Sequence, residues 1–196
     1  MKQLKIYFGL LASLFLCQSL ALAATYKIDA DHTTVSFKIK HLFSKVQGRF
    51  DKFEGMIEYD EKNPASWKTE ATIQAASINT NVEGRDKHLK GPDFFDVEKF
   101  PTITFKSTGV TDASGTNAKL NGVLTIHGVE KPVTLDLEAL GVAKDPWGNT
   151  VAGFFAKTTI NRKDFGLTWS KVAETGQLLV GEEVEIELDV AGILEQ

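Results

Sequence analysis

Apolar and polar residues trade places at every second position through most of this chain. A helix cannot bury such a pattern, because its side chains advance by about 100° per residue, whereas a strand sends alternate side chains to opposite faces. Val35, Phe37, Ile39, His41 and Phe43 share one parity, and Thr34, Ser36, Lys38 and Lys40 take the other. Trp67, Thr69, Ala71, Ile73 and Ala75 alternate in the same way with Lys68, Glu70, Thr72 and Gln74. The last run is the cleanest, with Val184, Ile186, Leu188 and Val190 set against Glu183, Glu185, Glu187 and Asp189. Between Val46 and Tyr59 the parity changes once, from Val46, Gly48 and Phe50 to Phe53, Gly55, Ile57 and Tyr59. One continuous buried face there requires a slip near Asp51-Lys52. A β-bulge supplies it, and bulges help a sheet to curl.

Further alternating runs begin at Ile103, Ala118, Val133 and Phe154, separated by turns at Thr111 to Asn117, Gly128 to Pro132 and Asp145 to Asn149. Eight long strands result, with one wet face each and no β-α-β rhythm, which indicates antiparallel pairing. The interruption is Arg85 to Pro101, dense in charge and aromatics. Thr80 or Asn81 is placed to cap a short helix, Gly91 and Pro92 to end it through a left-handed glycine, and Asp93 to cap a second turn carrying Phe94 and Phe95. The expected fold is all-β: an eight-stranded antiparallel barrel with a helical insert near residues 82–98, a two-sheet sandwich being the alternative. Small residues on the inward parity (Gly55, Ala71, Gly122, Ala139, Ala156) leave a void for a ligand unless Phe37, Phe105 and Phe154 fill it. Periodicity leaves both outcomes open.

The first 23 residues stand apart. Lys2 and Lys5 precede an apolar run from Ile6 to Cys17, and Ala21-Leu22-Ala23 is a small-x-small cleavage site. This reads as a signal peptide, too short to span a membrane, with residues 24–196 expected as one domain. Leu16 before Cys17 is not the small residue a lipidation site needs. Cys17 is the only cysteine, so the mature chain enters an oxidising compartment without disulfides and relies on its core. Removing Lys2 and Lys5 from a net charge of −4 leaves −6. An acidic surface argues against nucleic acid, and against membrane adhesion by charge.

Catalytic signatures are scarce. His32, His41, His88 and His127 have no metal-site spacing, and the chain carries no nucleophile elbow, phosphate loop or dinucleotide fingerprint. Arg85 lies three residues after Val82 and four before Leu89, toward the apolar side of the expected helix. It either pairs with Asp86, Asp93 or Asp96, or it places a guanidinium at the barrel mouth for a phosphate or carbonyl. Arg162 and Asp164 pose the same choice. Phe94 and Phe95 are either a cap on the core or a lip over a lipid tail.

Several blocks together resemble the YceI-like family of secreted polyisoprenoid-binding proteins: Tyr26-Lys27-Ile28-Asp29 with His32, Arg85-Asp86-Lys87-His88-Leu89 with Asp93-Phe94-Phe95-Asp96, Leu124 to Val129, Asp145-Pro146-Trp147-Gly148, and Asn161 to Gly166. The resemblance implies a lipocalin-like barrel with an apolar tunnel and a bacterial periplasmic location. It implies a ligand with a long isoprenoid or aliphatic tail, of polyprenyl phosphate or quinone type, bound without any required cofactor. Phe37, Ile39, Phe43, Phe105, Leu124, Ile126, Leu135, Phe154 and Ile160 are the expected tail wall, and Arg85, His88 and Arg162 the expected head contacts. The rival is an enzyme acting on a bound isoprenoid or quinone, with His41 or His88 as acid-base group. A third reading is a stress-response interaction protein with a packed barrel. Oligomeric state is left open, a homodimer included.

Overall fold

The computed structural model describes residues 23–172 and 178–195. The expected signal segment therefore lies almost wholly outside the described residues. Eleven strands form one antiparallel sheet that closes on itself. They are β1 (Ala24–Ile28), β2 (Thr34–His41), β3 (Ser44–Phe50), β4 (Phe53–Tyr59), β5 (Lys68–Gln74), β6 (Ile78–Asn79), β7 (Thr102–Ser114), β8 (Asn117–Ile126), β9 (Val129–Lys144), β10 (Thr150–Asn161) and β11 (Val180–Leu194). The ring runs β1-β4-β5-β7-β8-β9-β10-β11 and returns to β1 through Tyr26↔Leu194, Lys27↔Ile193 and Ile28↔Gly192. Beyond that closure β11 takes β2 as its partner, from Asp189↔Thr34 to Val180↔His41, and β2 pairs with β3. Thus β1 and β2 share one edge of β11, and the barrel is eight-stranded as the alternation predicts.

The slip expected at Asp51-Lys52 is a full break between β3 and β4. The parity of burial changes across it, with Phe50 buried on one side and Ile57 and Tyr59 on the other. The neighbouring strand breaks at the same level, where Ala75–Ser77 forms a 3-10 turn between β5 and β6. Asp51 N–H donates to the Ser77 carbonyl at 3.1 Å and Lys52 N–H to Ser77 Oγ at 3.0 Å, so the two bends hold each other.

Three local expectations change. The strands around Gly115 are longer than the polar composition suggests, and β7 runs on to Ser114. The β8–β9 connection is a two-residue turn at His127 (φ 53°) and Gly128 (φ 73°), so Pro132 lies inside β9. Two positive φ values mark the turn type whose twist suits a tight hairpin. Helix α1 (Glu83–Lys90) begins after Val82, with no side-chain cap from Thr80 or Asn81. Gly91 ends it in an extended conformation (φ −79°), and the Asp93 carboxylate bonds His88 instead of capping a turn.

Two apolar clusters fill the ends of the barrel. One is built on Tyr26, Tyr59, Trp67 and Phe154, with the Tyr59 centroid 5.0 Å from both Trp67, tilted against it, and Phe154, edge-on to it. The other gathers Phe50, Ile78, Ile103, Leu124, Ile126, Phe165 and Leu167, and the insert packs Leu89, Phe95 and Val97 onto it.

Candidate functional site

The inner face does not fill itself. A cavity of about 460 Å³ remains between the two clusters. This falls within the roughly 300–1,000 Å³ typical of small-molecule sites. Large neighbours cover some of the small positions: the Phe105 ring lies over Gly122 and the Phe37 ring over Gly48. Covering those glycines leaves the middle of the barrel open.

Eight of the nine residues expected on the tail wall line this cavity: Phe37, Ile39, Phe105, Leu124, Ile126, Leu135, Phe154 and Ile160. Phe43 does not. It sits in the turn between β2 and β3 and is 89% exposed. The preceding Leu42 has a positive φ of 49°, so the chain reverses there and the alternation that placed Phe43 inward has already ended. Sequence reasoning did not single out Val184, Ile186, Leu188 and Val190 of β11, although their alternation was the cleanest signal in the chain, and all four line the wall. Trp169 also lines it, from an irregular segment where no periodicity could mark it.

The three expected head residues all reach the cavity. Arg85 is held on one side by Thr80, donating from Nε to Oγ1 at 2.7 Å and from Nη2 to the carbonyl at 2.9 Å. Thr80 is itself buried, and its hydroxyl and N–H donate to Asp86 Oδ1. The direct ion pair with Asp86, Asp93 or Asp96 is replaced by this relay through a threonine. Arg162, in the 3-10 turn Arg162–Phe165, is 3% exposed. Its Nε donates to the Gly181 carbonyl at 2.8 Å and its Nη1 to the Leu167 carbonyl. Burial pushes its pKa down, while the charge of Glu182 pulls the other way. His88 shares a hydrogen bond of 2.9 Å with Asp93, and its ring stands edge-on to Phe94 and Trp169 at centroid distances of 5.0 and 5.2 Å. This contact joins α1 to the segment before β11. His41 lines the cavity at the exposed end of β2. Among the described residues no three His, Cys, Asp or Glu side chains come together as a metal site, and no helix is long and apolar enough to cross a membrane.

A closed antiparallel barrel whose inner faces bound an apolar cavity, with a helical insert packed on its core, defines a lipocalin-like β-barrel. The family model of the YceI-like domain matches residues 26–191, and the chain belongs to that family. A UPF0312 protein of Pseudomonas paraeruginosa is 46% identical over 176 residues, covering 88% of each chain. BcnA of Burkholderia cenocepacia superposes with a TM-score of 0.73 at 26% identity, over 84% of this chain and 98% of that one. A polyisoprenoid-binding domain from Saccharophagus degradans shares the fold at a TM-score of 0.63 and 15% identity, over 88% of this chain and 99% of its own.

Proposed function

We propose that this protein binds and carries an amphiphile with a long isoprenoid or aliphatic tail, of the polyprenyl phosphate or quinone type. The observation that carries the reading is the cavity itself, lined by aliphatic and aromatic side chains from all eleven strands, with Arg85, His88 and Arg162 also reaching it. Burying a tail there is worth about 0.8 kcal/mol per CH₂, less the cost of ordering it. The polyisoprenoid-binding domain of the same fold supports the ligand class. The tail lies against Phe37, Leu124, Leu135 and Phe154, and the head against Arg85, His88 and Arg162. No cofactor is needed, and the protein binds rather than transforms its ligand. The basic-then-apolar start and the Ala21-Leu22-Ala23 site support export to the periplasm with Ala24 as the mature N-terminus.

Native mass spectrometry of the mature protein from its own periplasmic fraction, followed by organic extraction, tests all of this at once. The expected result is a chain starting at Ala24 with one long-tailed amphiphile bound. A bare polypeptide that also takes up no added polyprenyl lipid would overturn the carrier reading.

A further inference from the structure

The chain carries more acidic than basic side chains, 26 against 22, yet among the described residues no Asp or Glu lines the cavity. Among the described residues the ionisable groups on its wall are all basic: Lys68 and His88, which pair outward with Glu58 and Asp93, and Arg85, Arg162 and His41. Of the three arginines in the sequence, Arg49 lies on the outer surface and pairs with Asp51 at 2.6 Å. The other two face the cavity and are held by neutral oxygens. Arg85 spends Nε and Nη2 on Thr80, and the Asp86 carboxylate nearby is bonded to Thr80 rather than to the guanidinium. Arg162 spends Nε and Nη1 on two backbone carbonyls, and its buried Nη2 has no acceptor among the described residues. The carboxylate whose charge reaches Arg162, that of Glu182, is bonded to Lys163. The two arginines belong to one end of the cavity, since the contact of His88 with Trp169 ties α1 to the segment carrying Leu167, whose carbonyl holds Arg162.

A guanidinium buried without a carboxylate is costly, and an apolar surround lets its charge act strongly and at longer range than in water. We propose that this end of the cavity selects amphiphiles whose polar end is an oxyanion, a phosphate monoester or a carboxylate, over neutral molecules with the same tail. Arg85 supplies the hydrogen bonds, and Arg162 supplies fixed positive charge from its buried place in the wall. The inference rests on the carrier reading and narrows it, since it sets quinones and alcohols below anions. Burial lowers the Arg162 pKa, but arginine stays protonated at any working pH, so the charge persists.

The test uses the delipidated mature protein and two tail-matched pairs in calorimetric titration: geranylgeranyl monophosphate against geranylgeraniol, and oleate against oleamide. In at least one pair the anion should bind about tenfold to a hundredfold more tightly than its neutral mate, the range expected of hydrogen bonds to a charged group. The pair showing the larger ratio names the headgroup as phosphate or carboxylate. Arg85→Met and Arg162→Met should each bring that ratio toward one. Should Arg162→Met fail to fold, Arg85→Met carries the comparison, because Arg85 sits on a surface helix. Equal affinity for anion and neutral mate, or a ratio unchanged in both folded variants, overturns the inference and leaves the carrier reading standing. Failure of all four probes to bind overturns both.

Discussion

Leu124 shows how much one inward position decides. It is buried near the end of β8, belongs to the core cluster of Phe50 and Ile126 and lines the cavity. Leu124→Trp extends an indole into the open space. Such overpacking costs about 1–3 kcal/mol, which a barrel of this size tolerates. With the circular dichroism unchanged, affinity for a long-tailed probe should fall at least about tenfold, a loss of roughly 1.4 kcal/mol. Undiminished affinity would place the tail elsewhere. Gly122, two residues earlier on the same face, shows why side-chain size alone misleads. A side chain there would collide with the Phe105 ring and lie 2.7 Å from the Lys106 carbonyl oxygen, so the space beside it is already occupied. The void belongs to the middle of the barrel and not to any one small residue. Phe43 is the converse case, since it continues the parity of β2 by one step beyond the reversal at Leu42.

At the scale of elements, the paired breaks at 51–52 and 75–77 turn a ladder into a curved wall. Asp51 sits at the bend and accepts from Arg49 Nε at 2.6 Å and from Asn79 Nδ2 at 2.8 Å. The Arg49 bond, followed by the Asn79 bond, holds its carboxyl below the ordinary value of 3.8. A depressed carboxylate stabilises the fold above its unfolded pKa, and that contribution is lost as pH falls through the folded value. Asp51→Asn should therefore be slightly less stable than the parent at neutral pH, by about 0.5 kcal/mol or less for so exposed a group. The two should converge in acid, once Asp51 is protonated in both the folded and the unfolded chain. Urea unfolding at both pH values checks this, and a gap that persists in acid would mean that Asp51 acts through shape and not charge. The helical insert belongs to the same scale. Its anchors, Phe95 on Phe50 and His88 against Trp169, reach residues far away in sequence. Helix position could be read from Gly91 and Pro92, but the docking could not.

At the scale of the molecule, closure depends on β1. Its five residues pair with β4 on one side and β11 on the other, and Tyr26 is 5% exposed within the cluster of Tyr59, Trp67 and Phe154. Starting the chain at Asp29 removes both ladders and that ring. The expected outcome is loss of cooperative melting and of near-ultraviolet circular dichroism. A truncated chain that melts as the parent does would show that β4 and β11 close the barrel unaided. Strand number, antiparallel pairing, the slip at Asp51 and most of the wall were legible along the chain, because period-two alternation is a local consequence of having one dry face. The part β1 plays in closing the ring was not, since its short run gains its meaning from partners more than 25 residues away in β4 and at the far end of the chain. Nor could alternation decide between a filled barrel and a hollow one, which depends on how Phe37 and Phe105 lean across the interior. The sequence shows Arg85 and Arg162 as charges with acidic neighbours at hand. Only the tertiary structure brings them to one cavity without an Asp or Glu among the described lining residues, because Gly181 of β11 reaches Arg162, and Trp169 reaches His88 of α1, from segments well apart in the chain.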